Sequence, residues 1–195
     1  MVAIGTRQRY ITARLPNQSK QEYLYFLTNK LGFDVEICYS FKTADGTKLF
    51  SKWKSFLWLL QYEPDEYIKE LYMTRDEFIA KASHRSVLDI EIMIDIDEKG
   101  FHNSIKAKAE AICKYLKKNY IPYSCYFSGS KSYHISYLIY ELRGQNNFYI
   151  EQIKREQIGK IVRSDIQKAS RRNMIAFEGE PHWKTGVVKK EANLI

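Results

Sequence analysis

At 195 residues and 45% hydrophobic, the chain is long enough to bury one substantial core and short for two full domains. Fifteen Tyr, ten Phe and three Trp exclude a disordered chain, because aromatic burial on that scale offsets the entropy of ordering the backbone. A formal net charge of +8 is what a solvated basic surface gives, yet it also favours a polyanionic partner, since each Lys or Arg set on a phosphate releases condensed counterions.

The longest wholly apolar run, Phe56-Leu57-Trp58-Leu59-Leu60, falls far short of the roughly 20 residues a membrane-spanning helix needs. Arg7, Arg9 and Arg14 near the start precede no apolar stretch, so a signal peptide is not expected. A cytoplasmic protein without a membrane partner is the expectation. Cys38, Cys113 and Cys125 are odd in number and lack Cys-x-x-Cys spacing, which argues against a disulfide framework and against structural zinc. Buried thiols are the simplest reading.

In chain order, Tyr23, Leu24, Phe26, Leu27 and Leu31 recur at helical spacing and predict a helix over 19–31, with Ser19 and Glu22 as its capping box. Residues 35–41 read as a strand, 43–47 as a turn, and 48–53 as the returning strand of a hairpin. Short helices follow over 65–71 and 74–83, the second capped by Thr74 and Glu77. From 87 to 97 the pattern alternates: Leu88, Ile90, Ile92, Ile94 and Ile96 share one face, and Asp89, Glu91, Met93, Asp95 and Asp97 the other. Residues 104–118 place Ile105, Ala109, Ile112 and Leu116 on one stripe and lysines elsewhere, the pattern of an amphipathic helix. Aromatic-rich strands over 123–127 and 133–140 flank a Ser-Gly-Ser-Lys turn, and 150–162 again reads as helix. Strand, helix, hairpin, helix in that order suits a mixed, mostly antiparallel α+β sheet with flanking helices.

Carboxylates two apart on a strand point the same way, so Asp95 and Asp97 can set their oxygens around a common divalent cation. A pair of Mg²⁺ or Mn²⁺ ions held there can activate an attacking 3′-hydroxyl and steady a leaving pyrophosphate, work that calls for hard oxygen ligands. An Asp-x-Asp pair alone is equally an ordinary solvated sheet face. Its place at a strand end, before the turn at Glu98-Lys99-Gly100, favours the functional reading, because loops there open a crevice. Asp89 and Glu91, further back, are expected to be exposed or paired with basic side chains.

Ser128-Gly129-Ser130-Lys131-Ser132-Tyr133-His134 puts small residues and a lysine in a turn, then a histidine on the next strand. A tight turn with exposed amides can receive phosphate, with Lys131 and His134 adding donors. It is not a Walker loop, and taken singly each part is an ordinary turn or strand residue. Further on, Asp165 precedes the basic residues Lys168, Arg171 and Arg172, and Glu180-Pro181-His182-Trp183-Lys184-Thr185-Gly186 follows. The basic cluster is either a solvated helix face or a DNA-binding one. The loop with His182 and Lys184 can grip a triphosphate whose metals sit on Asp95, Asp97 and Asp165.

Taken together, three segments resemble the archaeo-eukaryotic primase superfamily. Ile94-Asp95-Ile96-Asp97 looks like its first motif, Ser132-Tyr133-His134 is similar to its Ser-x-His second motif, and Asp165 resembles the carboxylate of the third. His182-Trp183-Lys184-Thr185-Gly186 is similar to the His-x-Lys-Thr-Gly of replicative primase small subunits. The resemblance spans residues 85–186, roughly half the chain. The chain departs from the family at Ala176 and Phe177, where a basic residue is usual, and at Glu180, where a small one is. Short segments between the motifs leave no room for the zinc module many relatives carry.

The resemblance implies a primase catalytic core with an RRM-like motif region, one catalytic domain over 1–195 comprising an N-terminal part, 1–84, and a motif-bearing part, 85–195. It implies that Asp95, Asp97 and Asp165 bind two catalytic Mg²⁺ or Mn²⁺ ions. By the same token Ser128, Ser130, Lys131 and His134 contact the phosphates of the incoming nucleotide, with His182 and Lys184 doing so from the other side. The implied activity is template-directed primer synthesis from NTP or dNTP on single-stranded DNA, alongside a primase large subunit, a helicase or another replication protein. Two other functions stay open: a catalytically silent primase-like accessory subunit, and an end-joining type polymerase.

Overall fold

In a computed structural model the chain is described over residues 13–15, 17–62, 66–97, 102–161 and 173–195. Helix α1 (Lys20–Tyr25) starts where the capping box sets it: the Ser19 hydroxyl accepts from Glu22 N at 3.1 Å, and the Glu22 carboxylate accepts from Ser19 N at 2.8 Å. The helix then widens into a π-helical turn over Phe26–Lys30, where the Thr28 hydroxyl donates to Leu24 O. Strand β1 (Glu36–Cys38) follows, then the hairpin β2 (Ser40–Lys42) and β3 (Lys48–Phe50) around the expected turn, and β4 (Lys54–Ser55). Three short helices, α2 (Phe56–Gln61), α3 (Glu66–Glu70) and α4 (Arg75–Lys81), lead to β5 (His84–Ser86), with Thr74 and Glu77 capping α4 as expected.

The alternating run at 87–97 is not one strand. The chain turns at Asp89 and Ile90, and β6 begins only at Glu91 and runs to Ile96. The corner is held by side chain to backbone hydrogen bonds: Leu88 N donates to the Glu91 carboxylate at 3.0 Å, and Ile90 N to the Asp89 carboxylate at 2.9 Å. Apolar alternation continues through the corner because it serves two cores. Leu88 and Ile90 pack with the α1–α4 region, whereas Ile92, Ile94 and Ile96 pack under the next helix.

That helix, α5 (His102–Lys118), covers one face of the sheet formed by β6, β7 (Tyr123–Phe127) and β8 (Tyr133–Leu138), with α6 (Asn147–Ile161) beside it and Ile158 joining the same core. Strands β9 (Met174–Ala176) and β10 (Lys190–Glu191) end the described elements. Two four-stranded sheets result, in the orders β4-β1-β5-β9 and β10-β7-β8-β6. Each named pairing is antiparallel. In the second sheet β6 and β7 both pair with β8, so they run parallel to each other with α5 as the crossover, a split β-α-β arrangement. The architecture is α+β, antiparallel sheets with flanking helices. The face of the second sheet away from α5 is turned to the first sheet, and the cleft between them holds four of the residues singled out from sequence, Asp95, Ser128, His134 and His182.

Candidate active site

Register brings the first two motifs together. Asp95, next to last in β6, lies directly across from His134 on β8, and His134 Nε2 is 3.6 Å from Asp95 Oδ1. Both sit on the face opposite the isoleucines, as period-two alternation requires. Asp97 lies just past the strand end and is exposed.

Beyond His134 the strand leads back into the Ser128–Ser132 turn. It closes through Ser128 N donating to Ser132 O at 2.9 Å and the Ser132 hydroxyl donating to Ser128 Oγ at 2.7 Å. Gly129 has φ +90°, and a methyl group there would stand 2.2 Å from Val187 O and 2.9 Å from His182 Cβ. Only glycine lets the C-terminal loop come so close. Thr185 completes the apposition by donating its hydroxyl to Gly129 O at 2.6 Å. The loop itself is a tight turn in which Gly186, at φ +70°, donates to His182 O at 2.7 Å and His182 N to Val187 O at 2.8 Å. The Ser-Gly-Ser-Lys and Lys-Thr-Gly segments, far apart in sequence, are thus bonded to each other.

A cleft of about 680 Å³ opens beside this junction. Asp95, Ser128, His134 and His182 line it, together with Ser132 and Trp183. Asp97, Ser130, Lys131 and Lys184 are not in its lining; Lys131 is exposed, and Lys184 Nζ rests 4.9 Å over the Trp183 ring at the rim. Asp165, Lys168, Arg171 and Arg172 lie outside the described residues.

Sequence reasoning missed most of the opposite wall, where Lys42 and Lys48 from the β2–β3 hairpin, Lys81 and His84 face the motifs, and it missed Lys189, which also lines the cleft. Lys48 Nζ lies 4.7 Å over Phe50 and 5.8 Å over Trp183, so the hairpin reaches the C-terminal loop. Burial lowers the Lys48 pKa, a shift the Cys38 thiol partly opposes. His182 is likewise held below its ordinary value, first by burial and then by the charges of Lys48 and Lys184, so its imidazole is neutral at neutral pH. A lysine from the N-terminal hairpin therefore supplies positive charge beside His182, in a cleft also lined by Ala176, one of the positions where the chain departs from the primase motifs it resembles. The lone hint in sequence was two lysines flanking a turn, paired Lys42 to Lys48. Glu180, the other departure, is tied to Lys20 at 2.5 Å.

Deeper in the same face, Glu91 accepts two hydrogen bonds from Arg85, at 2.8 and 3.0 Å, and one from the Ser136 hydroxyl at 2.7 Å. Both ions are essentially inaccessible, at 1% and 0% exposure, so this end of the acidic face is a buried ion pair rather than a solvated surface. Burial alone would raise the Glu91 pKa, but the Arg85 charge and the hydrogen bonds outweigh it and the net shift is downward. Nearby, Lys189 Nζ is 3.1 Å from Glu178 and donates to Ala176 O at 2.7 Å, and Arg14 N donates to the Glu178 carboxylate at 3.0 Å. These bonds link the two sheets beneath the cleft.

Among the described residues no three His, Cys, Asp or Glu side chains gather as a ready-made metal cage. Asp95 offers hard carboxylate oxygens to a cleft whose other charged groups are mainly cationic, and Asp97 follows two residues on, outside the lining; carboxylate oxygens are donors that suit Mg²⁺ or Mn²⁺ between protein and phosphate. Cys38, Cys113 and Cys125 are buried free thiols away from this cleft. No described helix is long and apolar enough to cross a membrane.

No protein-family model matches the chain, and no curated protein does. Among solved structures, the chain is similar to the polymerase domain of Mycobacterium tuberculosis ligase D in complex with DNA. The likeness has a TM-score of 0.51 at 11% sequence identity, covering 88% of this chain and 79% of that one. It is a likeness of fold.

Proposed function

We propose that the chain is a metal-dependent nucleotidyltransferase that makes or extends a primer on a single-stranded DNA template from nucleoside triphosphates. The observation that carries this reading is that Asp95, Ser128, His134 and His182, drawn from three separate segments, line one cleft. A fold shared with a polymerase domain supports the same class of chemistry.

In this reading Asp95 and Asp97, with Asp165, hold two Mg²⁺ or Mn²⁺ ions. When bound, the ions supply charge neutralisation on the attacking and leaving oxygens. Ser128, Ser130, Lys131 and the turn amides receive phosphate oxygens, and His134 donates a hydrogen bond next to Asp95. From the facing side His182 donates through its free ring nitrogen, while Lys48 and Lys184 contribute charge. No side-chain general base is required, because positioning and electrostatics provide most of the stabilisation in phosphoryl transfer. Template DNA follows the cationic wall, with Lys168, Arg171 and Arg172 as further phosphate contacts. A primase large subunit, a helicase or another replication protein would bring the enzyme to its template.

The test is primer synthesis on single-stranded DNA with ribo- and deoxyribonucleotides, with and without Mn²⁺ or Mg²⁺. Product that depends on the metal and disappears in Asp95→Ala/Asp97→Ala is expected; undiminished product in that variant sinks the site. Because the similar structure is a DNA-bound polymerase domain, a second reading is extension of an existing strand without initiation. Product on a gapped duplex but none on bare single strand would select it. A silent accessory subunit would make neither product.

A further inference from the structure

The β2–β3 hairpin forms a sheet of its own, paired with none of the other named strands. A lone two-stranded hairpin is marginal in water, and this one is tied down at its base, where Ser51 N donates to Tyr39 O at 2.9 Å and Tyr39 N to the Ser51 hydroxyl at 3.0 Å. The Phe50 ring adds an edge-on contact to His84 at 5.1 Å. Beyond those ties its large apolar side chains stay in water: Phe41, Leu49 and Phe50 are 41%, 43% and 37% exposed. Trp183, on the C-terminal loop that the hairpin reaches, is 42% exposed. Exposed rings gathered at the edge of a cleft mark a surface that another molecule covers.

Lysines are interleaved with those rings. Lys48 Nζ stands over both Phe50 and Trp183, at 4.7 and 5.8 Å from their centroids, and Lys184 Nζ is 4.9 Å from that of Trp183. Lys42 is the cross-strand partner of Lys48 and follows Phe41 on β2, and Phe41, Lys42, Lys48 and Trp183 all line the cleft. Among the described residues none of Lys42, Lys48 and Lys184 is in an ion pair. Asp45, the one carboxylate on the hairpin, is taken up within its turn by Thr43 and Thr47. Of the carboxylates lining the cleft, Glu180 is held by Lys20 and Asp95 sits against His134. The strip is aromatic and cationic, and its charge is left for a ligand.

We propose that this strip, Phe41 and Lys42 on the hairpin with Trp183 and Lys184 on the loop, is a stacking platform for the single-stranded template, its rings taking bases and its lysines the phosphates. Charge alone would hold a strand by its backbone, whereas exposed rings add a grip on any base, because every base has a π-face. A lysine on its flexible four-carbon stem can leave a ring for a phosphate and open that face to a base. Duplex DNA is the poorer match, since its base faces are already covered by their neighbours. An apolar protein surface would bury these lysines without partners, which is costly. Calling the strand a template rests on the nucleotidyltransferase reading; that a single strand is held here by its bases does not.

The experiment measures, by fluorescence anisotropy, binding of the full chain to an oligothymidylate of about twelve nucleotides and to an abasic strand of equal length that keeps every phosphate, with neither triphosphate nor metal added. The parent should bind the thymidylate strand about tenfold or more tighter than the abasic one. Phe41→Ala/Trp183→Ala should bring the two strands within about twofold of each other, while Trp183→Tyr, which keeps a ring, retains the preference. Lys42→Gln/Lys184→Gln should instead weaken both strands alike and flatten the slope of log affinity against log salt by about 1.4. Equal affinity of the parent for the two strands, or a preference that survives loss of both rings, would overturn the proposal. So would a ring variant that loses affinity for a nucleoside triphosphate and not for the strand, since the rings would then serve the incoming base. Base-dependent binding by a chain that makes no primer would defeat the nucleotidyltransferase reading alone; primer made without base-dependent binding would defeat this one alone.

Discussion

Two carboxylates four residues apart on one strand have opposite fates. Glu91 and Asp95 share the same face of β6, and each is set against β8, Glu91 through the Ser136 hydroxyl and Asp95 through His134. What differs is the surface opposite. Glu91 meets Arg85 from the first sheet and is sealed from water with its charge balanced, whereas Asp95 meets a cleft walled by lysines and histidines. A carboxylate whose hydrogen bonds are all made within the protein holds the fold; one facing an open cationic cavity is placed to act on a ligand. The face on which an acidic residue lies does not decide its role, and the partner element does.

The strongest way to break this contrast is to neutralise each carboxylate in turn. Asp95→Asn should lower metal-dependent primer synthesis by about 10³-fold or more while leaving the thermal midpoint within a few degrees of the parent. Glu91→Ala should do the reverse in kind, costing about 3–5 kcal/mol of stability by stranding Arg85, which calorimetry would show as a midpoint lower by about 10 °C. A comparable loss of stability in both variants would erase the distinction.

Gly129→Ala comes next. Its added methyl meets Val187 O and its backbone is left-handed, so about 2 kcal/mol or more should be lost, together with the bond from Thr185 that joins the two turns. Nucleotide affinity should fall with it, because the loop carrying His182 must withdraw. Lys48→Ala sharpens the picture of the facing wall: about tenfold weaker triphosphate binding is expected with stability little changed, since its contacts are to aromatic rings and not to a buried ion.

How much of this was legible in sequence follows from how far each signal reaches. The capping boxes at Ser19 and Thr74, the amphipathic stripe of α5 and the turn between Phe127 and Tyr133 are local, and the structure keeps them. The break at Asp89 was hidden because Leu88 and Ile90 feed one core and Ile92 onward another, and alternation cannot tell two cores from one. Strands β5, β9 and β10, of two or three residues each, have no periodicity of their own and are defined by partners far along the chain. In the site, Asp95, Ser128, His134 and His182 were found through motif likeness. Lys48 and Lys189 were missed, since a lone lysine in sequence carries no mark of which cavity it will face.

The smallest effect concerns acid. Glu91 and Glu178 titrate below their ordinary 4.5 in the folded chain, so the unfolded chain binds more protons as pH falls. Their contribution is complete above that value and is lost as pH drops through the folded values. The thermal midpoint should decline below about pH 4.5, and Arg85→Met/Glu91→Leu, whose buried pair is replaced by apolar side chains, should show a shallower decline while remaining folded.

The central claim is best tested by calorimetric titration of a non-hydrolysable nucleoside triphosphate into the full chain, with and without Mn²⁺. Binding that requires the metal in the parent and is lost in Asp95→Asn/Asp97→Asn is the predicted result. Metal-independent binding of equal strength in both proteins would contradict it.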